Sequence, residues 1–431
     1  MLRQPSWESG SRRSDLPAIV VLCAATALAA VPGTLGAQES GNGPRLERLE
    51  RLDLPDDIAR ASDVRWLEDD EFLLGVIGRG LYSWSIGDEA GQLRVALEEP
   101  KAETFQIGDR TVVDSNRYER DYGQLAVSPD GMAFTDLFSG IHLATEDGVD
   151  SLADLKHLGD LDRRGALTAA VGLVRKDDDA WGPYAAWLIE DAGGGPRGLL
   201  PTRDGGHGLE LCGDAELSVI RFIAADRLLV IPGAEAGVFV YDREGALQHS
   251  LDAETFFAED GCDVEVNQWG RSPLSDAYAR ADWLGPRRII DEVVADGEGN
   301  VYFFVRYAAD GPAEALAASD RKWLPGGVPF LVGFGAGVLN QQLIRDRVVA
   351  SVPPPSGRVC WDLVHIHVDD LRTATMQPCV VESEFADTRL RADLRGDRAV
   401  LLLRGGALRG GDVRSGKAFE ARLRPPVGAE D

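Results

Sequence analysis

The stretch Leu125–Phe134, LAVSPDGMAF, places four turn-forming residues between two short apolar segments. Pro129 fixes one backbone angle of a tight turn, and Gly131 accepts an angle that other residues avoid, so residues 128–131 predict a chain reversal with little strain. Short apolar segments on either side of such a turn are typical of β-strands. The stretch therefore predicts two strands joined by a tight turn.

The same alternation of short apolar segments and turns recurs along the chain, while long helical periodicity is nearly absent. Residues 62–99 predict four strands, at 64–67, 72–77, 81–86 and 93–97, separated by Asp and Gly turns. Five comparable units follow, at 123–155, 165–201, 217–251, 289–308 with 360–381, and 389–423.

Four-stranded units repeated at a spacing of roughly 40 residues are typical of a β-propeller, in which each sheet is one blade of a ring. A twisted meander exposes two apolar faces, and neighbouring blades cover both. The fold prediction is an all-β, single-domain β-propeller over 62–424 with six four-stranded antiparallel blades and a tail at 425–431. Seven blades are the alternative, if the insertion at 253–288 or the one at 309–357 contains another sheet.

Ring closure commonly uses an amino-terminal strand to complete the last blade. Within the segment 38–61, the sequence RLERLERLDLP at 45–55 is the candidate for that strand. Its leucines at 46, 49 and 52 would also suit a short helix, so both alternatives stay open.

Two of these turns resemble turns of known families. LAVSPDGMAF resembles the S-P-D-G blade turn of TolB-like and WD40-like bacterial propellers. EVVADGEGNVYFFV, at 292–305, resembles the D-x-x-G-N-V-Y turn of NHL-type and other six-bladed propellers. The Trp-Asp ending of a WD40 blade is absent where it would be expected, which argues against that family.

The amino end predicts export. Arg12 and Arg13 precede an uncharged apolar run at 16–31, and small residues follow at 36–37, as in a secretory signal peptide. We expect residues 1–37 to be removed by cleavage after Ala37 and the protein to work in the periplasm or outside the cell. A retained membrane anchor is the alternative, but a span needs about 20 apolar residues and this run is shorter.

Four cysteines remain in the mature chain, and none forms a C-x-x-C pair. In an oxidising compartment an even number of cysteines predicts disulfides rather than a metal site. Sequence spacing favours Cys212 with Cys262 and Cys360 with Cys379. The segment between Cys360 and Cys379 predicts a hairpin, which would bring those two sulfur atoms together.

The formal net charge of -26 restricts the partners. Nucleic acid and anionic membrane surfaces would be repelled, so neither is expected. The charge otherwise indicates a soluble protein, for which we expect a monomer.

Two groups of side chains are candidate sites. The insertion at 253–288 carries Trp269, Tyr278 and Trp283, which would line a pocket mouth or pack the insertion against the rim. His365 and His367 would point to one side of a strand, as a metal pair requires, but no third ligand can be nominated. We therefore predict no metal at these histidines.

The sequence favours a non-enzymatic, cofactor-free binding module that recognises a protein, peptide or glycan through the loop face of the propeller. It contains no G-x-S-x-G, H-E-x-x-H or phosphate-loop motif. The alternative is a hydrolase or lactonase. By resemblance to six-bladed enzymes, it would hold Ca²⁺ or Zn²⁺ over the central channel with carboxylates from several blades.

Overall fold

The structure is a computed structural model of the chain. It describes residues 43–96 except 78, 103–107, 110–114, 127–136, 140–145, 148–153, 155–173, 184–191, 195–201, 218–233, 237–256, 258, 287–309, 356–386, 388–405 and 416–426. The predicted signal peptide therefore lies outside the described residues. Within them, no helix is both long and apolar enough to span a membrane.

The described residues form 26 β-strands. They are β1 Arg45–Leu52, β2 Ala61–Trp66, β3 Glu71–Val76, β4 Gly80–Ser85, β5 Gln92–Ala96, β6 Glu103–Ile107, β7 Arg110–Asp114, β8 Val127–Ser128, β9 Ala133–Asp136, β10 Gly140–Thr145, β11 Gly148–Ala153, β12 Lys156–Arg164, β13 Leu167–Leu173, β14 Tyr184–Glu190, β15 Arg197–Pro201, β16 Val219–Ala224, β17 Arg227–Ile231, β18 Val238–Asp242, β19 Leu247–Leu251, β20 Ile289–Ala295, β21 Asn300–Ala308, β22 Ser356–His367, β23 Asp370–Phe385, β24 Arg389–Arg395, β25 Arg398–Arg404 and β26 Lys417–Arg424. Short 3-10 turns occur at Asp130–Met132 and Ala253–Phe256.

Six antiparallel four-stranded sheets are built from these strands: β2–β5, β8–β11, β12–β15, β16–β19, β20–β23, and β24–β26 with β1. We number these blades 1 to 6 in that order. The first strands of successive blades contact one another in sequence, and the first strand of blade 6 contacts that of blade 1. These inner strands therefore surround a central channel, and the predicted six-bladed β-propeller is confirmed.

The segment RLERLERLDLP, whose pattern suits both a strand and a helix, contains strand β1. It pairs antiparallel with β26, from Arg45 opposite Arg424 to Leu52 opposite Ala418. The outer strand of blade 6 is therefore supplied by the amino end of the described chain.

The apolar core is divided among the junctions between blades. One apolar cluster lies at each of the six junctions of the described blades; for example, Leu73 of blade 1 packs with Val127 of blade 2. At the junction of blades 6 and 1, the rings of Trp66 and Trp84 both pack on Phe72. Each blade thus covers an apolar face of its neighbour, as the repeat pattern predicts.

The S-P-D-G turn joins β8 to β9, as predicted, and Gly131 adopts the left-handed angle φ 65°. The turn also contacts the next blade, since the carboxylate of Asp130 accepts a hydrogen bond from the backbone N–H of Gly165.

The two ends of the ring differ. Asp160 contacts the N–H of Ile220 and Asp162 that of Phe222, so adjacent inner strands run parallel. We call the end where inner strands begin the loop face and the end where they finish the turn face. On the turn face the longest connections are 86–91 and 191–196. Among the connections between described strands of the blades, all longer ones join strand ends at the loop face: 53–60, 97–126, 174–183, 202–218, 252–288, 309–355 and 405–416.

Two elements differ from the strands expected from sequence. Blade 3 begins at Lys156, ahead of the expected start at 165, because β12 supplies its inner strand. The connection 97–126 contains an extra hairpin, β6–β7, in which Glu103 pairs with Asp114.

Candidate functional site

Charged side chains occupy the middle of the ring. Six of them come from the inner strands of blades 1, 3, 4, 5 and 6 and are all buried. We call them the central cluster: Asp63, Arg65, Asp160, Arg221, Glu292 and Arg391. Three carboxylates therefore face three guanidinium groups, and the cluster is neutral when all six are ionised.

Arg221 joins three blades within this cluster. Its Nη1 atom lies 2.5 Å from Oδ2 of Asp160, and its Nη2 atom lies 2.7 Å from Oε1 of Glu292. Burial lowers the pKa of Arg221, but the charges of Asp160 and Glu292 outweigh burial and raise that pKa above its ordinary value. The guanidinium is therefore permanently charged, and it compensates both carboxylates.

Arg391 crosses the channel. From blade 6 its Nη1 atom lies 3.4 Å from Oε2 of Glu292, and its Nη2 atom donates to the backbone oxygen of Gly159 at 3.3 Å. Gly159 belongs to blade 3, which is opposite blade 6 in the ring. Side chains of the central cluster therefore span the channel at this level.

Arg65 completes the cluster from blade 1. It donates to the backbone oxygen of Ala392 at 2.6 Å, and its Nη2 atom lies 3.6 Å from Asp63 and 3.7 Å from Asp160. These longer separations are ion pairs without direct hydrogen bonds. Arg65 thus links blade 1 with blades 3 and 6.

Aspartates on the inner strands also connect neighbouring blades through the backbone. In each case Oδ1 accepts from the N–H of the following residue and Oδ2 from an N–H of the next blade. Three aspartates show this geometry, at 2.8–3.0 Å: Asp63 with Val64 and Val127, Asp160 with Leu161 and Ile220, and Asp162 with Arg163 and Phe222. Oδ2 of Asp393 likewise accepts from Trp66 at 2.8 Å, across the junction of blades 6 and 1.

Asp162 and Asp393 lie close to the central cluster and have raised pKa values. Both are partly buried and lie two residues beyond Asp160 and Arg391 on their strands, nearer the turn face. Burial raises the pKa of Asp162 to about 6, although Arg221 lowers it. Burial also raises the pKa of Asp393 above its ordinary value. These carboxyls therefore hold a proton more readily than ordinary aspartates.

One sequence pattern marks the residues of this cluster. Charged residues alternate with apolar ones on inner strands, as in DVRW at 63–66, GDLDRR at 159–164 and RLRADLR at 389–395. Alternation on an ordinary edge strand looks the same, so the pattern identifies channel residues only when the inner strand is known. Strand β12, which carries Asp160 and Asp162, was not assigned to any blade.

The predicted aromatic residues Trp269, Tyr278 and Trp283 lie outside the described residues. Both ends of their connection are described. At its start, Phe256 is fully buried with its ring centroid 4.3 Å from that of Phe303. At its end, Arg288 pairs with the carboxylate of Asp362 and lies over the ring of Tyr307 at 4.6 Å. The connection is thus anchored to blade 5 at both ends.

His365 and His367 both lie on β22. Nε2 of the buried His365 lies 2.8 Å from Oδ1 of Asn300, and burial lowers the pKa of His365 to about 4. Nδ1 of His367 accepts a hydrogen bond from the N–H of Asp369 at 3.3 Å. Within the described residues, no group of three metal-ligating side chains includes either histidine.

A disulfide joins Cys360 of β22 to Cys379 of β23, with 5.0 Å between their Cα atoms. It bridges the predicted hairpin close to where the 309–355 connection leads into β22. The other predicted pair, Cys212 and Cys262, lies outside the described residues.

No protein-family model matches the chain, and no curated protein sequence does. Solved structures do. A member of the DUF4221 family from Bacteroides vulgatus is 9% identical, with a TM-score of 0.43 over 89% of this chain and 99% of that one. A putative exported protein from Bacteroides fragilis is 7% identical, with a TM-score of 0.42 over 89% and 95%. A streptogramin B lyase is 10% identical, with a TM-score of 0.40 over 88% and 98%. Similarities this distant concern the fold alone and carry no argument about function.

Proposed function

We propose that the protein is an exported, non-enzymatic binding module that recognises a protein, peptide or glycan at the loop face. The observation that carries the proposal is the distribution of connections, since every connection longer than those of the turn face joins strand ends at the loop face. Long loops supported on a rigid scaffold commonly form binding surfaces. The connection 252–288, anchored by Phe256 and Arg288, is the leading candidate for contact with the ligand.

The charge of the central cluster supports a structural role for the channel. Each carboxylate of the cluster lies within 4 Å of a guanidinium group. Buried and compensated ion pairs of this kind hold neighbouring strands in place and leave little free charge for catalysis. Burial accounts for the raised pKa values of Asp162 and Asp393 beside the cluster, so these shifts need no enzymatic role.

The alternative, a divalent-cation-dependent hydrolase or lactonase, would need Ca²⁺ or Zn²⁺ over the channel. The central cluster does not fit such an ion, because Arg221 and Arg391 already occupy the positions between Asp160 and Glu292. A cation there would face guanidinium groups at contact distance. The described channel residues thus favour the binding module.

A thermal-shift measurement separates the two functions. We expect the melting temperature of residues 38–431 to stay within about 1 °C on adding CaCl₂, ZnCl₂ or EDTA, because a ligand stabilises only a protein that binds it. A rise of several degrees with one cation, reversed by EDTA, would instead support the cation-dependent enzyme.

Binding is tested on peptide and glycan arrays with residues 38–431. We expect W269A/Y278A/W283A to weaken any array signal at least about tenfold, as loss of buried aromatic contacts at an interface does. The matched control is L93A/L247A, which removes exposed apolar side chains of outer strands β5 and β19. Equal loss in both variants would contradict recognition at the loop face.

Export is part of the proposal. The Cys360–Cys379 disulfide supports it, because such bonds persist in oxidising compartments. When the full chain is expressed in a secreting bacterial host, we expect mass spectrometry of the periplasmic fraction to show an amino terminus at Gln38. Recovery of the uncleaved chain from the cytoplasm alone would contradict export.

A further inference from the structure

The Cys360–Cys379 disulfide lies where two long connections meet the fifth blade. β21 ends at Ala308 and β22 begins at Ser356, so the connection 309–355 starts and finishes beside it. Cys360 pairs with Tyr307 on the neighbouring strand β21. Arg288, the last residue of the connection 252–288, lies over the ring of that same Tyr307.

The disulfide holds an irregular part of the sheet. The register between β22 and β23 shifts around Asp362, from Trp361 opposite Val381 to Leu363 opposite Gln377. Cys379 lies in the extra residues of β23, with a positive φ of 43°. A residue other than glycine keeps this angle only when its surroundings impose it, and here the bond to Cys360 is one such constraint.

Asp362 connects this bulge to the end of the other connection. Its Oδ1 atom accepts a hydrogen bond from the N–H of Cys379 at 2.8 Å, and its Oδ2 atom pairs with Nη2 of Arg288. Asp362 is buried, whereas Arg288 is partly exposed. A buried carboxylate depends strongly on its partners, so movement of the bulge changes the anchoring of Arg288.

We propose that this disulfide is a redox latch for the loop face. While oxidised, it fixes the Cys379 bulge, and Asp362 then holds Arg288 and the end of the connection 252–288. Cys379 is exposed and Cys360 is buried, so a dithiol reductant attacks the sulfur of Cys379. A mixed disulfide forms as Cys360 leaves as a thiolate. The second thiol of the reductant then releases Cys379, which gives two protein cysteines and the oxidised reductant. The constraint on the Cys379 bulge, and through Asp362 on Arg288, is then lost.

Hydrogen exchange of residues 38–431 tests the latch, with dithiothreitol as the dithiol. On reduction we expect amides at 289–291 and 359–361 to exchange at least about tenfold faster, because local opening sets their rates. Amides of β2–β4 in blade 1 should be unchanged. C360S/C379S should show the reduced pattern in the absence of dithiothreitol, which isolates this disulfide from any other. Faster exchange only at 378–380, or in every blade, would overturn the proposal.

Asp362→Asn tests the link to Arg288 with the disulfide intact, and Glu382→Gln is its matched control at the residue opposite Cys360. We expect amides 289–291 to exchange faster than in the wild type in Asp362→Asn, and at the wild-type rate in Glu382→Gln. Unchanged exchange in Asp362→Asn would overturn the link. The latch regulates binding at the proposed loop-face site, so this inference rests on the proposed function. The exchange measurement needs no ligand, so a failed latch and a failed binding function give separate results.

Discussion

Asp160 and Arg221, on the inner strands of neighbouring blades, are joined by a contact of 2.5 Å between Oδ2 and Nη1, and both side chains are buried. The same oxygen accepts the backbone N–H of Ile220 at 3.0 Å. One carboxylate oxygen of Asp160 therefore binds both the backbone of blade 4 and the guanidinium group of Arg221. Removing either partner takes the shortest ion pair from a group that stays buried, which is costly.

Replacing Arg221 should strongly destabilise the ring. Arg221→Met leaves Asp160 and Glu292 without their closest cation, so we expect the free energy of unfolding to fall by about 3–5 kcal/mol. Urea denaturation followed by tryptophan fluorescence measures the loss. The control is Arg422→Met, whose exposed pair with Asp397 spans 3.9 Å and should contribute less than about 1 kcal/mol. Equal effects of the two variants would contradict the role of the central cluster.

Asp162 should make the protein less stable as the pH rises. Its pKa is raised from 3.8 to about 6 in the folded state, so the folded protein holds the proton more tightly than the unfolded chain does. The resulting stabilisation is complete below pH 4 and is lost as the pH rises through 6, by up to about 3 kcal/mol. Asp162→Asn should therefore gain stability relative to wild type between pH 4 and pH 7, as measured by urea denaturation.

Asp291 provides the control of opposite sign. Burial raises its pKa, but the charge of Arg389 and the N–H of Leu390 prevail, and the pKa of Asp291 lies below its ordinary value. Its stabilisation is present above pH 4 and is lost as the pH falls below that value. Asp291→Asn should therefore be most destabilised near pH 7. If both variants follow the same trend with pH, the assignment of the two carboxyls is wrong.

Gly131 should tolerate asparagine better than alanine. Its φ of 65° is strained for side-chain-bearing residues, although asparagine adopts it more readily, and an added Cβ would lie 3.0 Å from Nε of Arg163. We expect Gly131→Ala to lose about 1–2 kcal/mol in urea denaturation. At Gly396, φ is 59° and no atom lies within 4 Å of an added Cβ, so Gly396→Ala introduces backbone strain without a steric contact. A smaller loss at Gly131 than at Gly396 would contradict a role for the Arg163 contact.

Strand β1 should be required for a stable ring. A chain starting at residue 54 lacks the partner of β26 and the buried Leu52, so blade 6 exposes an edge and part of its apolar face. We expect its melting temperature to be lower by at least about 10 °C than that of residues 38–431. Circular dichroism measures both chains, and equal melting temperatures would show that β1 is dispensable.

The blades were predictable because each strand signal is local. Turns such as Ser128–Gly131 and Asp296–Asn300 fix where the chain reverses, and the apolar segments between them are short. β1 was harder, because LERLERL suits both a helix and a strand. Its pairing with β26 is decided by a contact between the two ends of the described chain, which no local pattern contains.

The central cluster was not predictable, for a related reason. Asp160 and Glu292 are far apart in sequence and become neighbours only when the ring closes around Arg221. Strand β12 was also missed, because KHLGDLDRR has too few apolar residues to signal a buried strand. Leu161 of this strand packs in the apolar cluster between blades 2 and 3, whereas Asp160 is buried among the ion pairs of the central cluster.

The pairing of β1 with β26 also orders events during synthesis. β1 is among the first described segments that the ribosome makes, and its partner β26 is the last described strand. Blade 6 therefore stays incomplete until β26 has been translated, and β1 has no partner strand while the other five blades are made. A polypeptide threaded through an export channel with its amino end leading would meet the same delay on the far side of the membrane.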